Sequence, residues 1–443
     1  MPDQRPAQQP RLQSVTLLTL SIILAGPVST DSASPAPKST ASSPTQPAAH
    51  PVPTAALERL ELVTDKADNG PGGNNWGGHQ ARIVRTQKDI FTAYTIPGQG
   101  QLARQWRLAE RTPTGWQVIG QGPSGREPVN LLADPEGRPS VIAWPDGLPR
   151  IWSFSNKSGN WEFHEAEIPG DWLKTQWPYA AAATDPRGDI CIMQTLGAKP
   201  GEFRWAIRTG GKWTFQKTAT DYRYCYAYLL PGASGAFSVT ATRDVLWKEL
   251  GYQKPPGQFD YVFNAVGSWN SPNAAKLPLT PLLVREEAPS RDFPIVECSN
   301  AQGDSYRDTR GRLHVLYEIR GPSTRDQERT RQAVLYQGKV IKDVEMPFTW
   351  GTYSRIIQDR RGRFYILSAR EGGSVINVYP SLSDDGTVLG VPTPLDLKGY
   401  HLTYFGLALA APRCGTALAD DVDGVFPAGK GKKWVYFRVR LAG

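Results

Sequence analysis

The residue types that move protons and grip an anion fall in two stretches of this 443-residue chain. In Asn74-Asn-Trp-Gly-Gly-His79, glycine-rich backbone leads an imidazole into an apolar run. A histidine there serves as general acid or as donor to a developing anion; its plainer alternative is a hydrogen bond to a neighbouring element. The second stretch pairs Asp221-Tyr-Arg-Tyr-Cys-Tyr-Ala-Tyr228 with Thr240-Ala-Thr-Arg-Asp244, which as adjacent strands bring Tyr224 and Arg243 together. A nearby cation makes a phenol more acidic, although interleaved tyrosines also suit a half-buried strand. His79, Tyr224 and Arg243 are the candidate catalytic residues.

Placing them at one location requires a repeating scaffold, and the chain has one. Pro178 to Thr218 reads as four short strands joined by Gly and Pro turns. Its first turn, Asp185-Pro-Arg-Gly188, recurs as Asp134-Pro-Glu-Gly137, Asp308-Thr-Arg-Gly311 and Asp359-Arg-Arg-Gly362, and the glycines fall 51 residues apart within each of two pairs. Pro231-Gly-Ala-Ser-Gly235 continues the series, and the long gap after it implies an insertion in the fourth unit. A turn followed by tryptophan repeats at Trp116, Trp161, Trp213, Trp269 and Trp434, where the ring would wedge between neighbouring sheets. With a unit at Ile83–Tyr94 and one at His401–Ala410 the count is seven. The expected fold is all-β, a seven-bladed β-propeller of four-stranded antiparallel blades over residues 57–443. Leu60-Glu-Leu-Val-Thr64 alternates as a strand and is expected to complete the blade built by Trp434–Leu441.

In a propeller the starts of first strands and the ends of second strands converge on one mouth of the ring. Nine residues before the turn glycine stand Pro128, Tyr179, Tyr226 and Tyr353, with His79 equivalent in the first unit; Arg126 and Tyr224 lie two residues earlier. Beyond the glycine, Trp144, Arg243, Glu318 and Arg370 take the corresponding ends. Arg126, Trp144, Tyr179, Tyr222, Arg223, Glu318, Tyr353 and Arg370 are accordingly the expected substrate-binding residues.

The remaining features bound the class. The apolar run Val15–Gly26 followed by small residues reads as a signal peptide over residues 1–31, and the Ser/Pro/Ala/Thr segment 32–56 as a disordered linker, so a secreted monomer without stable membrane insertion is expected. Four cysteines permit two disulfides in an exported chain, but the blade register argues against pairing Cys191 with Cys225. No metal site or cofactor is expected; Asp420-Asp-Val-Asp-Gly424 clusters carboxylates as a calcium turn would, and reads more simply as an exposed acidic turn. A formal charge of +8 favours an anionic polysaccharide or oligosaccharide as partner. Export makes nucleic acid the weaker choice.

The turn-and-tryptophan units resemble BNR-repeat, sialidase-like propellers, and the block from Trp76-Gly-Gly-His79 to Phe259-Asp-Tyr-Val-Phe-Asn264 looks like BNR-repeat proteins related to polysaccharide lyases of the ulvan-lyase type. The sialidase Asp-box appears only as a broken Ser383-Asp-Asp-Gly-Thr387. The lyase resemblance implies β-elimination, with an arginine (Arg243 or Arg223) neutralising a uronate carboxylate while Tyr224 and His79 move the protons. The sialidase resemblance implies hydrolysis instead, with Arg126, Arg243 and Arg370 gripping a carboxylate and Tyr224 assisted by Glu318. A non-catalytic glycan- or protein-binding propeller is the third reading.

Overall fold

The computed structural model describes residues 54–442, except 70–72, 75–76, 99–103, 198–199, 255, 257–258, 277–278, 288–299, 321–327, 350, 404–405 and 430–431. The expected signal segment, the linker up to Pro53, Trp76 and Cys298 lie outside the described residues.

Each Asp-x-x-Gly turn is built the same way. The glycine N–H donates to the aspartate carbonyl at 2.9–3.0 Å in all four turns. The aspartate carboxylate then accepts from the backbone four residues on in all four turns, and also two residues on in three of them, as Asp185 does from Arg187 and Asp189, both at 2.9 Å. Gly188 needs its lack of a side chain twice, because its φ is +86° and a Cβ would stand 2.9 Å from Pro135 of the preceding blade. Each turn therefore fixes a hairpin whose following strands pair in register.

Seven four-stranded antiparallel sheets result, over residues 83–124, 130–167, 181–220, 223–286, 300–345, 355–396 and 408–442, called blades 1 to 7 below. Blade 7 takes its outermost strand from Thr54–Thr64, which pairs with Lys433–Ala442 from Thr54↔Ala442 to Thr64↔Trp434. The closing strand thus starts three residues before the expected boundary at Leu57. The insertion of the fourth unit falls partly in the link from the second to the third strand of blade 4, where Trp247–Leu250 makes one short 3-10 turn.

The tryptophans wedge between blades. Trp116 of blade 1 packs 5.1 Å from Tyr436 of blade 7 and donates to Glu61 at 3.2 Å. Trp161 of blade 2 donates to Glu110 of blade 1 at 2.9 Å, and Trp269 of blade 4 lies 4.8 Å from Phe203 of blade 3. The apolar core is accordingly divided into inter-blade layers rather than gathered in one centre.

At the centre, the connection from the closing strand to blade 1 folds into the ring. Gln80 Nε2 donates to Glu127 ahead of blade 2 at 3.2 Å, and His79 Nε2 to the Ala180 carbonyl ahead of blade 3 at 3.1 Å. The Gly78 carbonyl accepts from Tyr228 of blade 4 and Arg355 of blade 6, each at 3.4 Å, and the His79 carbonyl from Arg413 of blade 7 at 2.9 Å. Arg82 turns back to the Gly77 carbonyl at 2.8 Å. Arg355 and Tyr228 also share the Gly303 carbonyl of blade 5, at 3.0 and 2.7 Å. Buried carbonyls that no strand ladder can satisfy thus meet three arginines.

The Asp420–Gly424 run enters the strand Asp421–Ala428 instead of curling around an ion. Its carboxylates face cations: Asp423 meets Arg85 and Arg438, both at 2.8 Å, Asp421 meets Arg440 and Asp420 meets Arg360, both at 3.6 Å. A cation there would have to displace these arginines. Among the described residues no group of three His, Cys, Asp or Glu is arranged to hold a metal. Cys191, Cys225 and Cys414 are buried.

Candidate functional site

Four tyrosines at alternate positions, Tyr222 to Tyr228, would all face one side of a regular strand. The innermost strand of blade 4, Arg223–Pro231, is not regular: Cys225 pairs with Thr242 and Tyr228 with Thr240, so Tyr226 and Ala227 together oppose Ala241. This bulge reverses the alternation beyond it. Tyr224, Ala227 and Leu229 pack toward blade 3, whereas Tyr228 and Leu230 pack toward blade 5. Tyr226, at φ +53°, belongs to neither set. Its ring lies 5.4 Å from that of His79, 5.6 Å from Tyr179 and 5.6 Å from Phe263.

Tyr179 is likewise in left-handed backbone, at φ +45°. A non-glycine residue there is strained and needs external support. The support is Glu127, whose Oε1 accepts from the Tyr179 N–H at 2.5 Å and Oε2 from the Ala180 N–H at 2.9 Å. Burial pushes the Glu127 carboxyl up to about 8 against the opposing pull of these hydrogen bonds.

The folded protein therefore holds a proton at Glu127 that the unfolded chain has already released above the ordinary carboxyl range. Stability from this site is full below about 4.5, declines as pH rises and is lost through about 8. Thermal melts over that range are expected to show this slope and Glu127→Gln to flatten it; an unchanged slope would overturn the assignment. Glu127→Ala leaves two buried N–H groups unpaired, at about 1–3 kcal/mol each.

Beside the two tyrosines stands Arg223, half-buried, with its guanidinium 5.4 Å from the Tyr179 ring and 6.0 Å from the Tyr261 ring. It is ion-paired with Asp244, its cross-strand neighbour. Burial pushes Asp244 up to about 6 even though Arg223 pulls the other way. Arginine presents five N–H donors in a fork, so a single carboxylate partner leaves donors for a second anion. Behind Tyr226, His79 is 4% exposed. Burial, then the charge of Arg413, push its imidazole down to about 3, so it is neutral at physiological pH. With Nε2 donating to Ala180, the lone pair sits on Nδ1, which is buried without a hydrogen-bond partner.

The other expected site residues are dispersed. Tyr224 is 3% exposed, 4.5 Å from Trp269 in perpendicular contact, and burial raises its hydroxyl well above the tyrosine range. It does pair across the strands with Arg243, as expected. Arg243, however, is buried, donates to Asn264 Oδ1 at 2.9 Å, pairs with Glu286 and covers the Tyr222 ring at 4.8 Å. Tyr224 and Arg243 thus form one cluster and His79 with Tyr226 another.

Glu318 is buried in an ion pair with Arg320 at 2.6 Å, and Tyr353 is buried and donates to Glu371 at 3.1 Å. Arg370 is exposed on blade 6. Of the three arginines expected to grip one carboxylate, Arg243 is paired with Glu286, Arg126 lines a separate cleft and Arg370 is on blade 6. Trp144 offers no open ring face, being buried and perpendicular to Trp172 at 5.5 Å. It borders a separate cleft of about 600 Å³ together with Arg126.

Tyr226, Glu127, Asp244 and Tyr261 were not among the expected site residues. Tyr226 did carry a signal, since it occupies the same position relative to its turn glycine as Tyr179 and Tyr353.

No protein-family model matches the sequence, and no curated protein matches it. Among solved structures the chain is similar to polysaccharide lyase Uly1, at 10% identity over 87% of this chain and 99% of that one, with a TM-score of 0.53. It is similar also to the PL25 ulvan lyase, at 12% identity over 87% and 96% of the two chains, with a TM-score of 0.52. At such identities the likeness shows a shared fold.

Proposed function

We propose that the protein cleaves an acidic, uronate-containing polysaccharide by β-elimination at the Tyr179–Tyr226–Arg223 cluster. The observation that carries this reading is two tyrosines held in left-handed backbone beside a half-buried arginine, because strain of this kind is retained where geometry serves chemistry. Arg223 pairs with the uronate carboxylate and stabilises the charge that spreads into it as the adjacent carbon is deprotonated. The Tyr226 phenolate oxygen takes that proton. The electron pair left on carbon forms a carbon–carbon double bond and expels the glycosidic oxygen, which takes a proton from Tyr179. Tyr226 releases its own proton to solvent before this step, and His79, neutral and edge-on to it at 5.4 Å, fixes the ring in place. Compared with the initial expectation, Tyr226 replaces Tyr224, and of the two arginines first considered Arg223 is kept and Arg243 is not, since Tyr224 and Arg243 are buried and engaged with Trp269, Asn264 and Glu286. The two similar structures, both polysaccharide lyases, agree with this choice of chemistry. Export, expected from Val15–Gly26, would bring the protein to such polymers outside the cell.

Purified protein incubated with uronate-containing and sialylated glycans is expected to generate ultraviolet-absorbing unsaturated ends together with reducing ends. Reducing ends alone would assign a hydrolase. Binding without either product would leave a non-catalytic glycan-binding propeller.

A further inference from the structure

The cleft that Arg126 shares with Trp144 opens at the mouth side of blades 1 to 3 and is lined by Arg104, Arg126, Asp146, Arg150 and Lys174 among its charged groups. Two of its cations are compensated, Arg104 by Asp68 and Arg150 by Glu165. For Arg126 and Lys174 the described residues provide no carboxylate within ion-pair distance, Asp146 included.

Arg126 is also held in place. Its guanidinium carbon lies 3.5 Å from the centre of the Trp177 ring, in stacking contact, and its Nε is buried without a hydrogen-bond partner. Stacking on an indole occupies the face of a guanidinium and leaves its in-plane N–H edge to bind a planar or tetrahedral oxyanion. Burial first, and then the charge of Arg104, disfavour the Arg126 cation, a stress that an anion in the cleft relieves.

The cleft adjoins the tyrosine cluster through the chain itself: Arg126 precedes Glu127, the support of Tyr179, and Trp177 lies two residues before Tyr179.

We infer that this cleft is a second anion subsite, at which Arg126 and Lys174 hold a carboxylate or sulfate of a saccharide unit remote from the reacting one. The inference rests on the proposed polyanionic substrate but not on any reaction occurring. Its test is equilibrium binding of three probes to the full chain: an oligogalacturonate, a sulfated dextran oligomer and an uncharged dextran oligomer of equal length.

The two charged probes separate carboxylate from sulfate recognition. At least one of them is expected to bind, with affinity falling as salt rises, and Arg126→Gln to weaken it roughly tenfold or more, as for a lost charge-assisted hydrogen bond. Lys174→Gln, at an exposed position, is expected to act in the same direction and decides the matter should Arg126→Gln fail to fold. Parent-like affinity in the folded variants, equal binding of the uncharged probe, or no binding of either charged probe by the parent would overturn the subsite. Parent-like unsaturated-product formation with unweakened binding in the variants would reject the subsite alone. Weakened binding in the variants of a protein that forms no product would reject the elimination alone.

Discussion

A chain beginning at Lys66 is expected to lose its cooperative fold and to collect in the insoluble fraction. Removing Thr54–Thr64 strips blade 7 of its outer strand and leaves Lys433–Ala442 as an unpaired edge. Leu57 and Leu60 leave the layer between blades 6 and 7, and Val63 leaves the layer between blades 7 and 1. Partial burial of three such side chains contributes about 1–2 kcal/mol each, and the backbone ladder adds a net ~0.5–1.5 kcal/mol per hydrogen bond. The sum is comparable with the whole stability of ordinary domains, about 5–15 kcal/mol. Glu61 aggravates the loss, since it also receives Arg111 at 2.8 Å and Trp116 at 3.2 Å from blade 1, so the ring opens where first and last blades meet. Circular dichroism melts of the truncated and full chains check this. A truncated protein that stays soluble and melts within a few degrees of the parent would show that blade 7 holds with three strands.

Tyr226→Phe is expected to lower elimination by about 10²–10⁴-fold, the range associated with a proton-transferring side chain, while leaving the melting temperature nearly unchanged. Phenylalanine keeps the ring against His79, Tyr179 and Phe263 and removes only the hydroxyl. Tyr224→Phe, two residues away, is expected to retain activity within about threefold, because that ring's place is the packing between blades 3 and 4. Tyr224→Ala should instead destabilise by about 3–5 kcal/mol. Product absorbance and thermal melts on the three variants separate the roles. Abolition of turnover by Tyr224→Phe, with Tyr226→Phe active, would return the base to the strand's buried face.

The ring was legible because its cause is local and repeated. An aspartate three residues before a glycine specifies a turn through its own carboxylate and the glycine's positive φ, and five tryptophans mark where neighbouring sheets meet. The closing strand was legible from the alternation of Leu60 to Thr64, although its start was read three residues late.

The site was less legible, for two physical reasons. Alternation in Asp221–Tyr228 predicts four tyrosines on one face, and one extra residue in the ladder sends Tyr224 and Tyr228 to opposite sides; nothing in the local sequence announces the bulge. The surroundings of His79 are supplied by Ala180, Tyr226 and Arg413, which approach only once the ring closes. Sequence placed the imidazole near the mouth but not its burial. Residue type and register had singled out Arg223 and Tyr179, which the fold sets together with Tyr226, whereas Glu127 entered only through the strained backbone it supports.

The inward fold of residues 77–82, tied to Arg355 and Arg413, carries polypeptide into the middle of the disc. Enzymes that thread a polymer through a tunnel must first capture a free end, and then gain processivity from its enclosure. Polypeptide tied across the hub stands in that route, so a long glycan engaging the proposed cluster would lie broadside across one surface and meet it at an interior linkage as readily as at a terminus. The fragments would then diffuse away laterally instead of being handed along the chain.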